Sequence, residues 1–384
     1  MFPQLTTGRR RTLAVAAMTV AVVGSAAGCS GVATDGASDG ASEGEGETFT
    51  FTLSTGAQEG TPNAAVQDWY LDAVEEATEG RVTFERTTTE SLCAAPEVVE
   101  CVRDGRAQIG VTVPDYTPQY FPSTSMVSIP FLTTNSQASM ETLYQLHLED
   151  GPAKAVMDQN GLHHVGTWPV GRILIGTEEP VSSPEDLDGL SMRASGPIVQ
   201  QLLTDSGASI QAVTASESYE AVQRGVLEAV GGTIDFPVNY GLMELLPYWS
   251  DPGIGQYSTF GMWFSQDAYD SLPEDLRTTV DEVTEELNTG AGIEAFNDQA
   301  ADQCQQMLDA PTVEDLTMWD ESVIDAWEQE SLESSKDAWV ELASSQGLED
   351  AQAVLDEYVA GYTDLEDSAY DDAILACVDQ FASQ

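Results

Sequence analysis

At 384 residues the chain is longer than one ordinary hydrophobic core supports, so two lobes of about 100 to 200 residues each are expected. Apolar residues make up 42%, which excludes a disordered chain, while 65 acidic against 13 basic residues give a net charge of -52, a field that repels nucleic acid and anionic lipid headgroups and excludes both as direct partners. Only Lys154 and Lys336 are lysines, a composition compatible both with a saline habitat, where salt screens self-repulsion, and with an ordinary acidic secreted protein.

From the N-terminus, Arg9-Arg10-Arg11, the apolar run Leu13 to Val23 and the small residues Ala26-Ala27-Gly28 have the three parts of an export signal, and the run is too short for a permanent span. Small residues directly before Cys29 resemble a bacterial lipobox, although Ala26 stands where that pattern usually has Leu. The resemblance implies that residues 1–28 are removed and that diacylglycerol on the Cys29 thiol anchors the protein to the outer face of the cell membrane. Arg10-Arg11-Thr12-Leu13 leaves both the general and the twin-arginine export routes open. Residues 29–47, rich in Gly, Ser and acid, read as a flexible tether. Four cysteines remain, an even number that in an exported protein reads as disulfides; three pairings exist, and proximity favours Cys93–Cys101, leaving Cys304–Cys377. Metal binding is the weaker rival, since there is no CxxC and the histidines are His147 and the adjacent His163-His164. No metal or cofactor is expected.

Folding starts at Thr48, where TFTFTL alternates as a strand. Thr61 as N-cap and Pro62 at the first helical position open a helix with Val66, Trp69, Tyr70, Ala73, Val74 and Ala77 on one face and Gly80 beyond its end. The strand RVTFERTT, a helix near Pro96 to Asp104 and the apolar run AQIGVTV follow. This alternation predicts α/β lobes with largely parallel sheets. Further strands are expected at Val165 to Thr167, Arg172 to Gly176 and Leu190 to Ala194, a short helix from Ser183-Pro184, and a helix from Ser216 to Arg224 ended by Gly225. From Pro273 to Gln346 the periodicity is almost wholly helical, with Trp319, Trp327 and Trp339 expected as core anchors rather than a ligand cage.

The chain has no GxSxG, GxxxxGK, HExxH or strand-associated GxGxxG, and chance explains acid pairs such as Glu75-Glu76 or Asp371-Asp372 among 65 carboxylates. Catalysis is therefore not expected. Four ordered segments between Thr48 and about Asn288 are similar to the TRAP-transporter solute-binding proteins of the DctP type: Ser128-Ile-Pro-Phe-Leu132, GRILIGTEEPVSSPEDLDGLSMRAS from Gly171, SESYEAVQRGVLEA from Ser216, and FSQDAYDSLPEDLR from Phe264. The resemblance implies an α/β, two-lobed periplasmic-binding-protein-like clamshell with hinge strands and a long helix crossing both lobes. Lobe 1 is expected at 48–169 with about 256–298, and lobe 2 at 170–255 with about 299–384. The implied function is capture of a small organic acid, a carboxylate, for delivery to the membrane subunits of a TRAP transporter. Rivals are an ABC-transporter binding protein, a receptor component feeding a sensor and, less well supported, a secreted hydrolase.

Arg172 and Arg193 lie in the apolar stretches PVGRILIG and LSMRAS, and a guanidinium buried there needs a planar anionic partner. The residues alone are compatible with an internal salt bridge at either position. The family resemblance instead assigns both to a ligand carboxylate, Arg193 as chief partner, and the two parallel donors of a guanidinium suit that role. Trp168, Tyr116 and Phe236, at the ends of predicted strands, are candidate walls of the pocket, with core packing as the alternative. Glu217 fits a family position near the cleft, or interacts only with its helix N-terminus. The sequence departs from the family where many members read Asp-Gly-Gln-Glu-Asn: here Glu228-Ala229-Val230-Gly231-Gly232 puts Gly232 in place of the usual ligand-facing Asn. Ala215 stands where sialic-acid binders carry an aromatic ring. Both changes are expected to remove bulk or hydrogen bonding from the pocket.

Overall fold

The computed structural model describes residues 46–368 and 370–383; Cys29, the export signal and most of the acidic tether lie outside them. Strand β1 (Phe49–Thr55) buries Phe51 and Leu53 and runs parallel to β2 (Val82–Arg86) and β3 (Ile109–Thr112). With β4 (Leu162–Pro169) and β10 (Thr259–Ser265) these make a five-stranded sheet ordered β2-β1-β3-β10-β4. The second sheet is ordered β11-β9-β5-β8-β6-β7, from β5 (Leu174–Thr177), β6 (Ser191–Arg193), β7 (Ser209–Ile210), β8 (Ala229–Gly232), β9 (Tyr248–Asp251) and β11 (Asp315–Met318). One sheet forms the core of each lobe of a clamshell.

Both sheets are largely parallel, as the alternation predicted: four of five strands run one way in the first and five of six in the second. The reversed strands are β10 and β5, and the hinge explains them. The chain leaves the first sheet through residues 170–173 and returns through residues 252–258, and these crossings bond to each other in opposite directions: Val170 N to Ser258 O, Tyr257 N to Gly171 O and Ile173 N to Gly255 O. The strands they continue must keep that polarity. Hence β10 is antiparallel to β4 and β3 in one sheet, and β5 to β9 and β8 in the other. At Gly255 the backbone has φ +84°, and a Cβ would run into the Thr133 carbonyl oxygen, so only glycine lets the hinge pass this close.

The helix Pro62–Ala77 is opened by Thr61, whose hydroxyl accepts from Ala64 N at 3.2 Å. Its buried positions are broader than one stripe. Asn63, Gln67 and Leu71 are covered along with Val66, Tyr70 and Val74, while Ala77 is exposed and Trp69 and Ala73 are half-buried. The helix packs against both Glu274–Glu286 and Gly292–Asp309 as well as against β2, so more than one stripe of it is covered. Trp319, Trp327 and Trp339 are all core residues: Trp319 stacks on Trp327 at 5.6 Å, and Trp339 Nε1 donates to Ser125 Oγ.

The C-terminal assignment to lobe 2 needs correction. The helix Ala351–Leu365 packs on Ser136–Leu148 beside the first sheet, with Tyr358 and Ser139 hydroxyls 2.8 Å apart and Tyr362 Oη accepting from the backbone of Thr134 and Asn135. The 25-residue helix Glu321–Ser345, about 37 Å long at 1.5 Å per residue, packs on Pro197–Asp205 of the second lobe. Its Trp339 shares an apolar cluster with Met126 and Val127, so this helix spans both lobes. Aromatic and aliphatic contacts over such lengths override the linear division at residue 299.

Both expected disulfides, Cys93–Cys101 and Cys304–Cys377, are present, the second joining Gly292–Asp309 to the helix Ala373–Phe381. Among the described residues no group of His, Cys, Asp or Glu is placed to hold a metal ion, and no helix is long and apolar enough to cross a membrane.

The three histidines of the chain meet at the outer flank of the first sheet. His147 and His164 stack at 4.4 Å, and His163 lies against the Tyr269 ring. His147 donates from Nδ1 to the Leu143 carbonyl, and its Nε2 lies 3.0 Å from Ser123 Oγ, a hydroxyl able to donate to the neutral ring. Burial pushes His147 and His163 down to about 4, and His164 well below its ordinary value. Because the folded values lie below the unfolded one, the neutral rings contribute stability that is complete above pH 6.5 and lost as pH falls towards 4. For His147 alone the loss is roughly 3 kcal/mol. Buried Asp115, Asp235 and Asp372, held above the carboxylate range by burial, act in the opposite sense. The measurement is therefore comparative: the stability lost between pH 7 and pH 4 in urea unfolding should be smaller in His147→Gln than in the parent. Equal losses in the two proteins would show that His147 stays neutral in neither state or in both.

Candidate functional site

A cavity of about 380 Å³ opens between the two sheets. Three of its walls hang from the carboxyl ends of strands: Tyr116 follows β3, Arg193 ends β6, and Asp235 and Phe236 follow β8. In open α/β sheets this end gathers loop residues and is where ligands bind. The first lobe adds Asn63, from the first turn of its helix, Glu90, and Phe260 of β10; the hinge adds Tyr257 and Ser258.

Arg193 is 2% exposed, and among the described residues no carboxylate lies within salt-bridge distance of it. Its guanidinium is instead held by neutral groups. Nε donates to Val213 O at 3.1 Å, and Nη1 donates to Gly231 O at 2.8 Å and to Tyr257 Oη at 2.7 Å. Its central carbon lies 4.7 Å from the centre of the Phe236 ring, a cation–π arrangement. Among the described residues Nη2 has no acceptor, and it is the nitrogen left for the cavity. The expected open fork is thus partly engaged by the protein. Tyr257 is saturated as well: it accepts from Arg193 and from Ser195 N, and donates to Gly231 O. Burial pushes its phenol up to about 12 although Arg193 pulls the other way, so it remains a neutral donor.

A buried cation without a carboxylate is costly to maintain, because desolvation is offset only by dipoles and an aromatic face. Supply of the missing anion by a bound molecule would complete the site. Gly232 is explained by the same cluster. A Cβ there would collide with the Phe236 ring, so the absent side chain is replaced by an aromatic from four residues later, and bulk is not lost at this wall as expected. Ala215 does line the cavity, and its backbone N–H donates to Tyr116 Oη at 3.3 Å across the crevice.

A match to the family described as "Bacterial extracellular solute-binding protein, family 7" spans residues 53–341. The chain belongs to this family. Among similar proteins, the ectoine-binding periplasmic protein TeaA of Halomonas elongata is 23% identical over 279 residues, 70% of this chain and 77% of that one. The C4-dicarboxylate-binding periplasmic protein DctP of Rhodobacter capsulatus is 24% identical over 281 residues, 70% and 80% of the two chains. Among solved structures, a marine metagenome TRAP solute-binding protein in complex with 3-hydroxybenzoate aligns with a TM-score of 0.74 at 19% identity, covering 83% of this chain and 99% of that one. These likenesses support the clamshell, and family 7 proteins of this kind bind solutes rather than catalyse reactions.

The remaining candidates of this family 7 protein separate by position. Phe236 and Tyr116 line the cavity with Arg193. Trp168 does not: it is fully buried, donates from Nε1 to Asn63 Oδ1 at 3.1 Å and stacks on Phe260, so it backs two residues that do line it. Glu217 is exposed and accepts from Thr214 N and Oγ1, tying the 214–217 turn, and these bonds hold its carboxyl below the usual range. Arg172 is also outside the lining. Its Nε lies 2.5 Å from Asp251 Oδ2, with Asp372 3.9 Å from Nη1, so at this position the internal salt bridge replaces the expected ligand contact. Asp235, Glu90, Asn63 and Tyr257 line the cavity without having been singled out, because no local pattern marks a loop carboxylate or a hinge tyrosine as inward-facing.

Proposed function

We propose that this family 7 protein captures a small organic acid by its carboxylate and delivers it to TRAP-type membrane subunits, held at the outer face of the cell membrane by lipid on Cys29. The observation that carries the reading is the buried guanidinium of Arg193, which lines the cavity and, among the described residues, has no acceptor at Nη2 and no carboxylate within 4.0 Å. Cavity size supports it, since about 380 Å³ falls in the range of small-molecule sites. The names of relatives support it too: ectoine, C4-dicarboxylates, mandelate and benzoate all carry a carboxylate. The tether and the sequence before Cys29 support the anchor.

Thermal-shift screening against monocarboxylates, dicarboxylates, sugar acids and zwitterions tests the capture. A ligand present at 100 times its dissociation constant stabilises by about 2.7 kcal/mol, enough for a clear rise in melting temperature. Stabilisation only by neutral sugars or simple cations would overturn the reading.

A further inference from the structure

We propose that the solute is a zwitterion, an organic acid that also carries a cationic nitrogen, with its carboxylate on Arg193 and its cationic group facing Asp235 and Glu90. This rests on the reading of Arg193 as the carboxylate partner and narrows it.

The charges lining the cavity are unequal: Arg193 is its one cation, and Asp235 and Glu90 are both carboxylates. A plain acid would neutralise Arg193 and leave two anions facing a third in a water-poor space. A dicarboxylate would add a fourth, with no second Arg or Lys in the lining to receive it. A solute cation removes that imbalance.

Asp235 is placed to receive it. The residue is 4% exposed and lines the cavity; Oδ1 accepts from Thr233 Oγ1 at 2.7 Å, and the backbone N–H groups of Asp235 and Phe236 also face the carboxyl, so its partners are neutral dipoles. It forms no ion pair with Arg193 within 4.0 Å, so its charge is not already satisfied there. Burial raises its carboxyl, while the Thr233 hydroxyl, the backbone N–H groups of Asp235 and Phe236 and the Arg193 charge pull the other way.

Glu90 comes from the opposite lobe. Its Oε1 accepts from Ala95 N, which holds the side chain, its backbone N–H donates to Thr55 O, and its backbone lies in the left-handed region at φ +56°. Tyr240 lines the same cavity as Asp235 and Glu90. A cation there would join the lobes as the clamshell closes. The aromatic lining of Tyr116, Phe236, Tyr240 and Phe260 offers further faces to a cationic nitrogen.

Calorimetry with isosteric pairs tests the charge alone. Trimethylglycine is compared with 3,3-dimethylbutanoate, and phenylalanine with 2-methyl-3-phenylpropanoate, each pair differing in one positive charge at nearly constant shape. At least one zwitterion should bind tenfold or more tighter than its isostere. Asp235→Asn should weaken that zwitterion about tenfold and strengthen the plain acid; Glu90→Gln should shift the ratio in the same direction. If no zwitterion binds tighter than its isostere, or if Asp235→Asn raises both affinities alike, Asp235 is only a counter-charge of Arg193 and the proposal fails. Arg193→Ala tests the underlying reading separately: it should weaken both members of a pair, and an unchanged plain acid would remove the carboxylate reading whatever the preference within pairs.

Discussion

Replacement of Arg193 by Ala is expected to lower affinity for the captured acid roughly 30-fold to several thousandfold. Truncating one partner of a buried, hydrogen-bonded charge pair costs about 2 to 5 kcal/mol, and each factor of ten corresponds to about 1.4 kcal/mol. The large side chain also supports its surroundings. Gly231 O and Tyr257 Oη would lose a donor, and Phe236 would lose the cation over its face. Melting curves must therefore accompany the calorimetry. Arg193→Lys should recover little: a primary ammonium keeps the charge but cannot reach Val213 O, Gly231 O and Tyr257 Oη while presenting a further N–H to the cavity. A folded Arg193→Ala protein that binds as the parent does would reduce Arg193 to a support for the β6–β8 region.

What the sequence made legible was local. Thr61 and Pro62 announce their helix because capping depends on residues a turn apart, and the alternation of strand and helix through residue 112 needs no distant information. Cys93 and Cys101 are close enough in sequence that proximity selects their pairing, which then leaves Cys304 and Cys377. Arg193 stood out because a guanidinium in an apolar strand demands an explanation.

The long-range choices were not legible. Arg172 and Arg193 present the same local picture, yet one meets a carboxylate 79 residues away and the other meets none. With 65 acidic residues, no local rule says which arginine is neutralised inside the protein. The one reversed strand in each sheet, β10 and β5, was hidden for a related reason, since its polarity is imposed where residues 170–173 pair with residues 252–258. Trp168 and Phe260 differ by one layer of packing, which hydrophobicity does not encode. Gly232 read as a loss of ligand contacts because the ring that fills its place, Phe236, belongs to the next helix.

Disruption of the Arg172–Asp251 pair is expected to act on stability and leave the binding mode intact. Asp251 is fully buried, accepting from Gly253 N at Oδ1 and from Arg172 Nε at Oδ2, and Arg172 is itself 7% exposed in the hinge. Asp372, the other acid near Arg172, caps the helix Ala373–Phe381 through the N–H groups of Ile374 and Leu375. One guanidinium therefore ties the hinge to β9 and to the C-terminal helix. Removing either member of a buried pair leaves an uncompensated charge and costs about 3 to 5 kcal/mol, so Asp251→Ala and Arg172→Ala should each lose that much in urea unfolding. Replacing both partners together, as in Arg172→Met with Asp251→Leu, should recover much of the loss, because the desolvation of two ions disappears with their attraction. Solute affinity of the folded fraction should stay within about threefold of the parent in Arg172→Ala, in contrast to Arg193→Ala. A loss of affinity in Arg172→Ala comparable to that in Arg193→Ala, without loss of stability, would return Arg172 to the ligand.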